Sequence, residues 1–131
     1  MIDYETHIFD TVYPYIAPLC AEGAFTSAQV PSPRAYPAVS LFELSNTTIR
    51  NRQSSTPGEN FVRVAYQLDI YAQSKAECRK VFAAADEILV KLNFNRISAT
   101  YIDNAENVYV FRYTARYEAE IDTKGNLYRR A

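Results

Sequence analysis

Few side chains in this 131-residue chain have the type and spacing needed for acid–base, nucleophilic or metal chemistry. His7 is the only histidine, which excludes a cluster of histidine metal ligands and a pair of catalytic histidines. It lies beside Ile8 on an expected helix, with no Ser or Cys at a suggestive spacing, so a surface histidine is favoured over a general base. Asp86 and Glu87 are adjacent on a helical segment and therefore point about 100° apart, unlike a catalytic carboxylate pair.

The sequence also lacks the short motifs that indicate a known catalytic or nucleotide-binding mechanism. The sequence contains no P-loop, GxGxxG, CxxC or GxSxG pattern. Glu118 and Glu120 share one strand face, but we expect both to be solvated there. We therefore expect no enzymatic activity, no catalytic or metal-binding residues and no cofactor.

The two cysteines, Cys20 and Cys78, lie far apart with neither metal-ligand nor redox-motif spacing. Cys78 falls on the apolar stripe of an expected helix, which favours a small core residue over a nucleophile. The N-terminal MIDYETHIFD is too charged for a signal peptide, and no apolar run approaches membrane-spanning length. We expect a protein made in the cytoplasm, with reduced thiols and no membrane partner.

The formal net charge of −1 argues against a general phosphate-binding surface. Arginines interleaved with tyrosines could still bind a nucleic-acid strand through stacking and guanidinium contacts. Glu118 and Glu120 lie in register with Arg112 and Arg116, however, and this alternation of sign suits salt bridges between like subunits. We therefore expect a protein interface and no direct nucleic-acid binding.

Residues 62–72 alternate between apolar and mostly polar side chains, and Arg63, Gln67 and Asp69 lie on the polar face of this stretch. We expect this face to meet water, a loop or a neighbouring subunit. The predicted interface residues are Arg50, Arg52, Arg63, Asp69, Arg112, Arg116, Glu118, Glu120, Arg129 and Arg130.

The elements that position these residues begin with a helix over residues 3–19, in which Asp3 can act as N-cap. Its apolar residues recur at three- and four-residue steps. They are Tyr4, Ile8, Val12, Tyr15 and Leu19. Because interior prolines disrupt helices, Pro14 and Pro18 predict a kink or looser chain after about Tyr13.

Strands and a second helix follow. The strand segments are residues 37–44, 59–72, 94–102 and 108–121, with a weaker one near 24–30. Between the second and third of the main segments, a capping box from Ser74 to Glu77 opens a helix that ends near Asn93. Residues 45–60 are polar and contain a Pro-Gly pair, so we expect a long mobile loop, either functional or a simple hairpin connection.

This order of elements predicts a single α+β domain over residues 1–131. We expect a mainly antiparallel sheet of four to five strands, with two helices packed on it and a long β-hairpin at the C-terminus. The last strand would extend about 46 Å, whereas the second helix would cover only about 27 Å. A protruding β-ribbon is therefore expected, and exposed strands of this kind invite pairing with another chain.

Several segments carry a family resemblance through their order and spacing. YPAVSLFELSN at 36–46 is similar to a Pro-x-Val-Ser-x-x-Glu-x-x-Asn pattern. The other pieces are Glu59-Asn60, YQLDIYA, KAECRKV, DE at 86–87, FNR at 94–96, VYVFRYTARYEAEID and LYRR. Together they span residues 36–130 and resemble the tail terminator family of long-tailed bacteriophages and prophages, also described as minor capsid or tail-to-head joining proteins.

The resemblance implies a small structural subunit that assembles into a hexameric ring at the head-proximal end of the virion tail. Such a ring caps the finished tail tube, stops tail growth and presents its opposite face to the head-completion, or stopper, protein. The implied partners are therefore other copies of the chain, the tail tube protein and the stopper. The alternatives are another ring-forming virion subunit (tube, stopper or adaptor) and, from a different class, a small nucleic-acid-binding module.

Overall fold

The described part of the chain is built on one six-stranded sheet. The computed structural model describes residues 3–21, 23–28, 35–48, 61–102 and 110–128. Its elements are α1 (Glu5–Ile16), a 3₁₀ turn (Ala17–Leu19), β1 (Phe25–Thr26), β2 (Ala38–Thr48), β3 (Phe61–Ala72), α2 (Lys75–Lys91), β4 (Asn95–Ile102), β5 (Phe111–Asp122) and β6 (Leu127–Tyr128). The strands lie in the order β1-β2-β3-β5-β4, and β6 pairs with β5.

The sheet is mixed and larger than predicted. β1 runs parallel to β2, pairing Phe25 with Val39, while the other described strand pairs are antiparallel. The expected mainly antiparallel sheet of four to five strands is therefore corrected to six strands with one parallel pair, within the α+β class that the sequence predicts. β1 lies within the weaker strand predicted near residues 24–30. β6 was not predicted, because a strand of two residues has no alternation to detect.

The long central strands lie inside the sheet. β5 pairs with β3 over all 12 of its residues, so the protruding β-ribbon predicted from strand length is wrong. The helix-facing side chains Ala119 and Ile121 near its end are buried. α1 packs against α2 and β2, and the Tyr4 hydroxyl just before it donates a 2.7 Å hydrogen bond to the Thr123 carbonyl.

β2 continues to Thr48, so the start of the predicted 45–60 loop is strand instead. Residues 45–48 pair with residues 62–65 of β3 after a β-bulge at Leu44. Backbone pairing does not require apolar side chains, which is why the polar run SNTT gave no strand signal. The rest of that loop, residues 49–60, lies outside the described residues.

α1 accommodates Pro14 and stays regular to Ile16, beyond the expected end of regular helix at about Tyr13. The looser continuation predicted there begins later, as the 3₁₀ turn. The buried stripe of α1 is Ile8, Val12 and Ile16, a strict four-residue spacing. Tyr15, predicted on that stripe, is 63% exposed. Packing of the stripe against the sheet outweighs the hydrogen bond that the proline removes.

The two helices begin differently. The Ser74 side chain accepts a 3.1 Å hydrogen bond from the Glu77 backbone, as the capping box predicts. At α1 the N-cap position is Tyr4, with no side-chain cap, and Asp3 accepts only a 3.3 Å bond from the Glu5 backbone. The predicted Asp3 cap is therefore wrong by one residue.

The main core lies between the sheet and both helices. The α2 side chains buried in it are Cys78, Val81, Ala85 and Leu89, which confirms the predicted stripe and the core position of Cys78. No helix in the described residues is long and apolar enough to span a membrane.

Candidate interaction surface

Alternation along the strands gives the sheet two chemically different faces. One packs on α1 and α2, and we call the opposite one the outer face. Directly opposed residues of paired strands share a face. Arg63 of β3 lies opposite Glu120 of β5, and Asp69 lies opposite Thr114, so all four belong to the outer face. The predicted interface residues that the structure describes all lie there.

A row of polar side chains crosses the outer face. The register places Asp69 between Ser40 of β2 and Thr114 of β5, and the row continues to Thr26 on β1 and Thr100 on β4. The hydroxyl oxygens of Thr26 and Ser40 lie 3.2 Å apart. The Thr114 hydroxyl donates to Asp69 Oδ1 at 2.6 Å. The row therefore links the strands through side chains as well as through backbone pairing.

Asp69 is the buried acceptor of this row, with 0% of its surface exposed. Gln67 Nε2 lies 3.1 and 3.0 Å from its two carboxylate oxygens, and Arg112 Nη2 lies 3.3 Å from Oδ2. A buried carboxylate is costly unless it is paired and hydrogen-bonded, and this one is both. Of the surroundings expected for this face, water is excluded at Asp69, because strand pairing brings Thr114 and Arg112 over its carboxylate.

Arg112 forms the accessible boundary of this network, with 21% of its side chain exposed. Its guanidinium carbon lies 5.7 Å from the centroid of the Tyr71 ring, within cation–π distance. Tyr71 itself packs with Ala38 and Val110 in a small apolar cluster separate from the main core. The Arg112 Nε is buried without a hydrogen-bond partner. The guanidinium is thus held between a carboxylate and an aromatic ring.

A second ion pair lies further along the same strand pair. Arg63 Nη2 lies 3.7 Å from Glu120 Oε1, its directly opposed neighbour. Glu120 is only 8% exposed, so the prediction that it is solvated is wrong. Glu118 is half-buried and Arg116 is exposed. Pairing along all of β5, instead of a free ribbon, is the reason that these carboxylates are covered.

The structure thus joins four of the predicted interface residues in two ion pairs, Asp69–Arg112 and Arg63–Glu120. Sequence reasoning missed Thr114, whose role depends on a register that no local pattern reveals. The remaining predicted residues, Arg50, Arg52, Arg129 and Arg130, lie outside the described residues. A subunit-interface role for the whole set stays a prediction.

A separate polar contact lies on the helix side, where Glu43 of β2 is opposite Tyr66 of β3. Burial raises the pKa of Glu43, and the negative charges of Glu5 and Asp3 raise it further. The nearby Tyr66 hydroxyl offsets part of this rise, but neither it nor Glu43 Oε1 completes a hydrogen bond of good geometry. Burial raises the pKa of Tyr66 as well.

Another helix-side contact ties α2 to the sheet. The buried Tyr117 hydroxyl donates to Asp86 Oδ1 at 2.7 Å, and Arg96 lies 3.4 Å from the other oxygen of that carboxylate. Burial raises the pKa of Tyr117, and the bond to Asp86 raises it further. Glu87 instead pairs with Lys91 on the helix surface at 3.1 Å. The two adjacent carboxylates therefore have separate partners, as helix geometry predicts.

The two cysteine thiols are potential nucleophiles, but burial lowers their reactivity. Burial raises the pKa of both Cys20 and Cys78 to about 11. Because the thiolate is the reactive form, neither sulfur is activated. His7 is exposed beside the Tyr4 ring. Within the described ranges, no group of three or more His, Cys, Asp and Glu residues is placed to hold a metal ion.

A groove of about 340 Å³ opens between α1 and α2. Its lining residues are Thr11, Tyr15, Ile88, Lys91 and Leu92. The lining is largely apolar and offers packing contacts, without a carboxylate, thiol or imidazole for chemistry.

No protein-family model matches the chain, and a search of curated proteins found no match. The resemblance to tail terminators stays a prediction from the sequence.

Proposed function

We propose that this protein is a structural virion subunit that forms a ring on the end of a phage tail tube. The ring stops tail growth and provides the tail-side surface to which the head joins. Two lines support the proposal: the resemblance of residues 36–130 to tail terminators, and the architecture of the outer face. The observation that carries it is the buried Asp69 network, which clamps Arg112 across the central strands.

A charged surface that is fixed before binding suits assembly. Cross-strand bonds hold the outer face in one geometry, so little side-chain freedom is lost when a partner docks. Arg63, Arg112 and Arg116 lie on this face, and arginine is enriched at protein interfaces. The two acidic partners neutralise Arg63 and Arg112 within the chain, which favours a protein partner over a polyanion.

Another ring-forming virion subunit is the nearest alternative, and gene deletion in the parent phage distinguishes the two. Loss of a tail terminator should give overlong tails without heads, and a plasmid copy should restore normal particles. Loss of a tube subunit should give no tails. Normal-length tails joined to heads after deletion would contradict the proposal.

A nucleic-acid-binding module is the second candidate, because Arg112 lies over the Tyr71 ring on the face that also carries Arg116. A filter-binding assay with single-stranded DNA and RNA at low salt tests it. A protein that acts only in virion assembly should not bind these nucleic acids tightly. Nanomolar affinity that falls steeply with added salt would instead favour nucleic-acid binding.

A further inference from the structure

The two sides of the sheet end in strands that are incompletely paired. β1 pairs only with Val39 and Ser40 of β2, and no described strand lies beside residues 41–45. At the other side, β4 pairs with β5, and no described strand lies on its outer side. Each open edge presents backbone groups that could pair with a strand of another chain.

The directions of these two edges are compatible with pairing between identical chains. β2 is antiparallel to β3, β3 to β5, and β5 to β4. β2 and β4 therefore run in opposite directions. If two copies stand side by side with their helices on the same face, β4 of one copy meets β2 of the next in an antiparallel orientation. Such a head-to-tail contact uses two different patches and can close into a ring.

Both edges also carry exposed aliphatic side chains at matching irregularities. β2 has a β-bulge at Leu44, which is 42% exposed, and β4 has one at Ile97, which is 55% exposed. Bulges can protect an edge, but protected edges commonly add Lys, Pro or inward-pointing charges. β4 contains no Lys or Pro, and its one charged residue, Arg96, lies on the helix side and is neutralised by Asp86.

The charges near the two edges are complementary. The described residues of α1, β1 and β2 contain no Lys or Arg, while Glu5 and Asp3 lie near Glu43, whose pKa is raised first by burial and then by these two negative charges. The β4 side is basic. Lys75 lies 5.7 Å from the centroid of the Tyr101 ring, and Arg79 Nε donates to the Tyr101 hydroxyl at 3.0 Å. Each subunit therefore has an acidic β2 edge on one side and a basic β4 edge on the other. In a head-to-tail arrangement, the basic edge of one copy meets the acidic edge of the next.

We propose that the β4 edge of one copy pairs antiparallel with the β2 edge of the next, which continues the sheet from subunit to subunit around the ring. This inference rests on the proposed ring assembly and names the contact that builds it. The occupant of each edge is a second copy of this chain.

Amide hydrogen exchange on the assembled protein tests the pairing directly. The wild-type chain is compared as monomer and as ring, formed alone or on purified tail tubes of the parent phage. Residues 41–45 and 97–102 should both become protected in the ring. Unchanged exchange in an assembled ring, or protection of one edge alone by the tube protein, would overturn the inference and leave the proposed function standing. Failure to form any ring would overturn both.

Charge substitutions at the two bulges give an independent test. Ile97→Glu places a negative charge opposite the acidic edge, and Leu44→Lys places a positive charge opposite the basic edge. Each should weaken ring formation by at least about tenfold in sedimentation experiments. Tyr15→Glu and Tyr15→Lys are the matched controls, because Tyr15 is exposed and lies away from both edges. Variants that assemble like the wild type would contradict the inference.

Discussion

Thr114 and Asp69 lie 45 positions apart in sequence, yet they face each other across the central strands with a 2.6 Å hydrogen bond. A slip of one residue between β3 and β5 would turn Asp69 toward the apolar core under the helices. The bond therefore favours the observed register over its nearest competitors. The same carboxylate holds Arg112, so the register also fixes a charge on the outer face.

Removing the Asp69 carboxylate should destabilise the protein strongly. Asp69→Asn preserves the shape but leaves Arg112 without its partner charge, and we expect a loss of about 3 kcal/mol in unfolding free energy. Urea denaturation followed by circular dichroism measures it. Thr114→Val removes only the hydroxyl donor and should cost about 1.5–3 kcal/mol.

The double variant decides whether these two residues act together. If Asp69 and Thr114 form one unit, the combined loss should fall short of the sum of the single losses by about 1 kcal/mol or more. Additive losses would show that the two side chains contribute independently and would contradict the proposed network.

Gly125 should tolerate a side chain less well than Gly23. Both have positive φ, at 83° and 71° respectively, so each alanine variant has a backbone cost of about 1 kcal/mol. A Cβ at Gly125 would also lie 2.8 Å from Tyr4 Cε1, whereas one at Gly23 would meet nothing within 4 Å. We expect Gly125→Ala to lower the midpoint of thermal unfolding clearly more than Gly23→Ala. Equal shifts would contradict the contact between Tyr4 and the turn after β5.

Glu43→Gln should stabilise the protein at neutral pH. The folded state raises the pKa of Glu43 above its ordinary value of 4.5, so the folded state retains this proton more tightly than the unfolded state. The stabilisation that this tighter proton binding gives is therefore fully present below pH 4.5. It is lost as the pH rises through the pKa that Glu43 has in the folded state. The free energy of unfolding of Glu43→Gln should therefore exceed that of the wild type by an amount that grows with pH. Urea unfolding at a series of pH values between about 4 and 8 measures it; a difference that shrinks with rising pH would contradict this account.

Tyr117→Phe tests the link between α2 and the sheet. The variant loses the 2.7 Å bond to Asp86, and because Asp86 is partly accessible we expect a cost near the lower end of about 1.5–3 kcal/mol. Tyr101→Phe is the matched control, since its hydroxyl accepts a bond from Arg79 in a more exposed position. A smaller loss for Tyr117→Phe than for Tyr101→Phe would contradict the importance of the buried link.

The sequence correctly predicted the elements whose pattern lies within a few neighbouring residues. The Ser74 cap, the buried stripe of α2 and the alternation of β3 are all present in the structure. Each depends on residues within a few positions of one another, which is the range over which helix and strand periods act.

The missed features depend on distant neighbours. Alternation placed Asp69 correctly on the face away from the helices, but it could not show that Thr114 and Arg112 would bury it. The end of β2 is polar and becomes a strand only because β3 lies beside it. Pro14 stays within α1 because Val12 and Ile16 pack on the core. In each case tertiary contacts outweigh the local preference.

We propose that this protein closes the end of a phage tail tube. Electron microscopy of purified protein mixed with tail tubes of the parent phage tests it most directly. We expect ring-shaped density at tube ends, and no further growth of those ends when tube subunits are added. Bare tube ends that continue to elongate in the presence of excess protein would contradict the account.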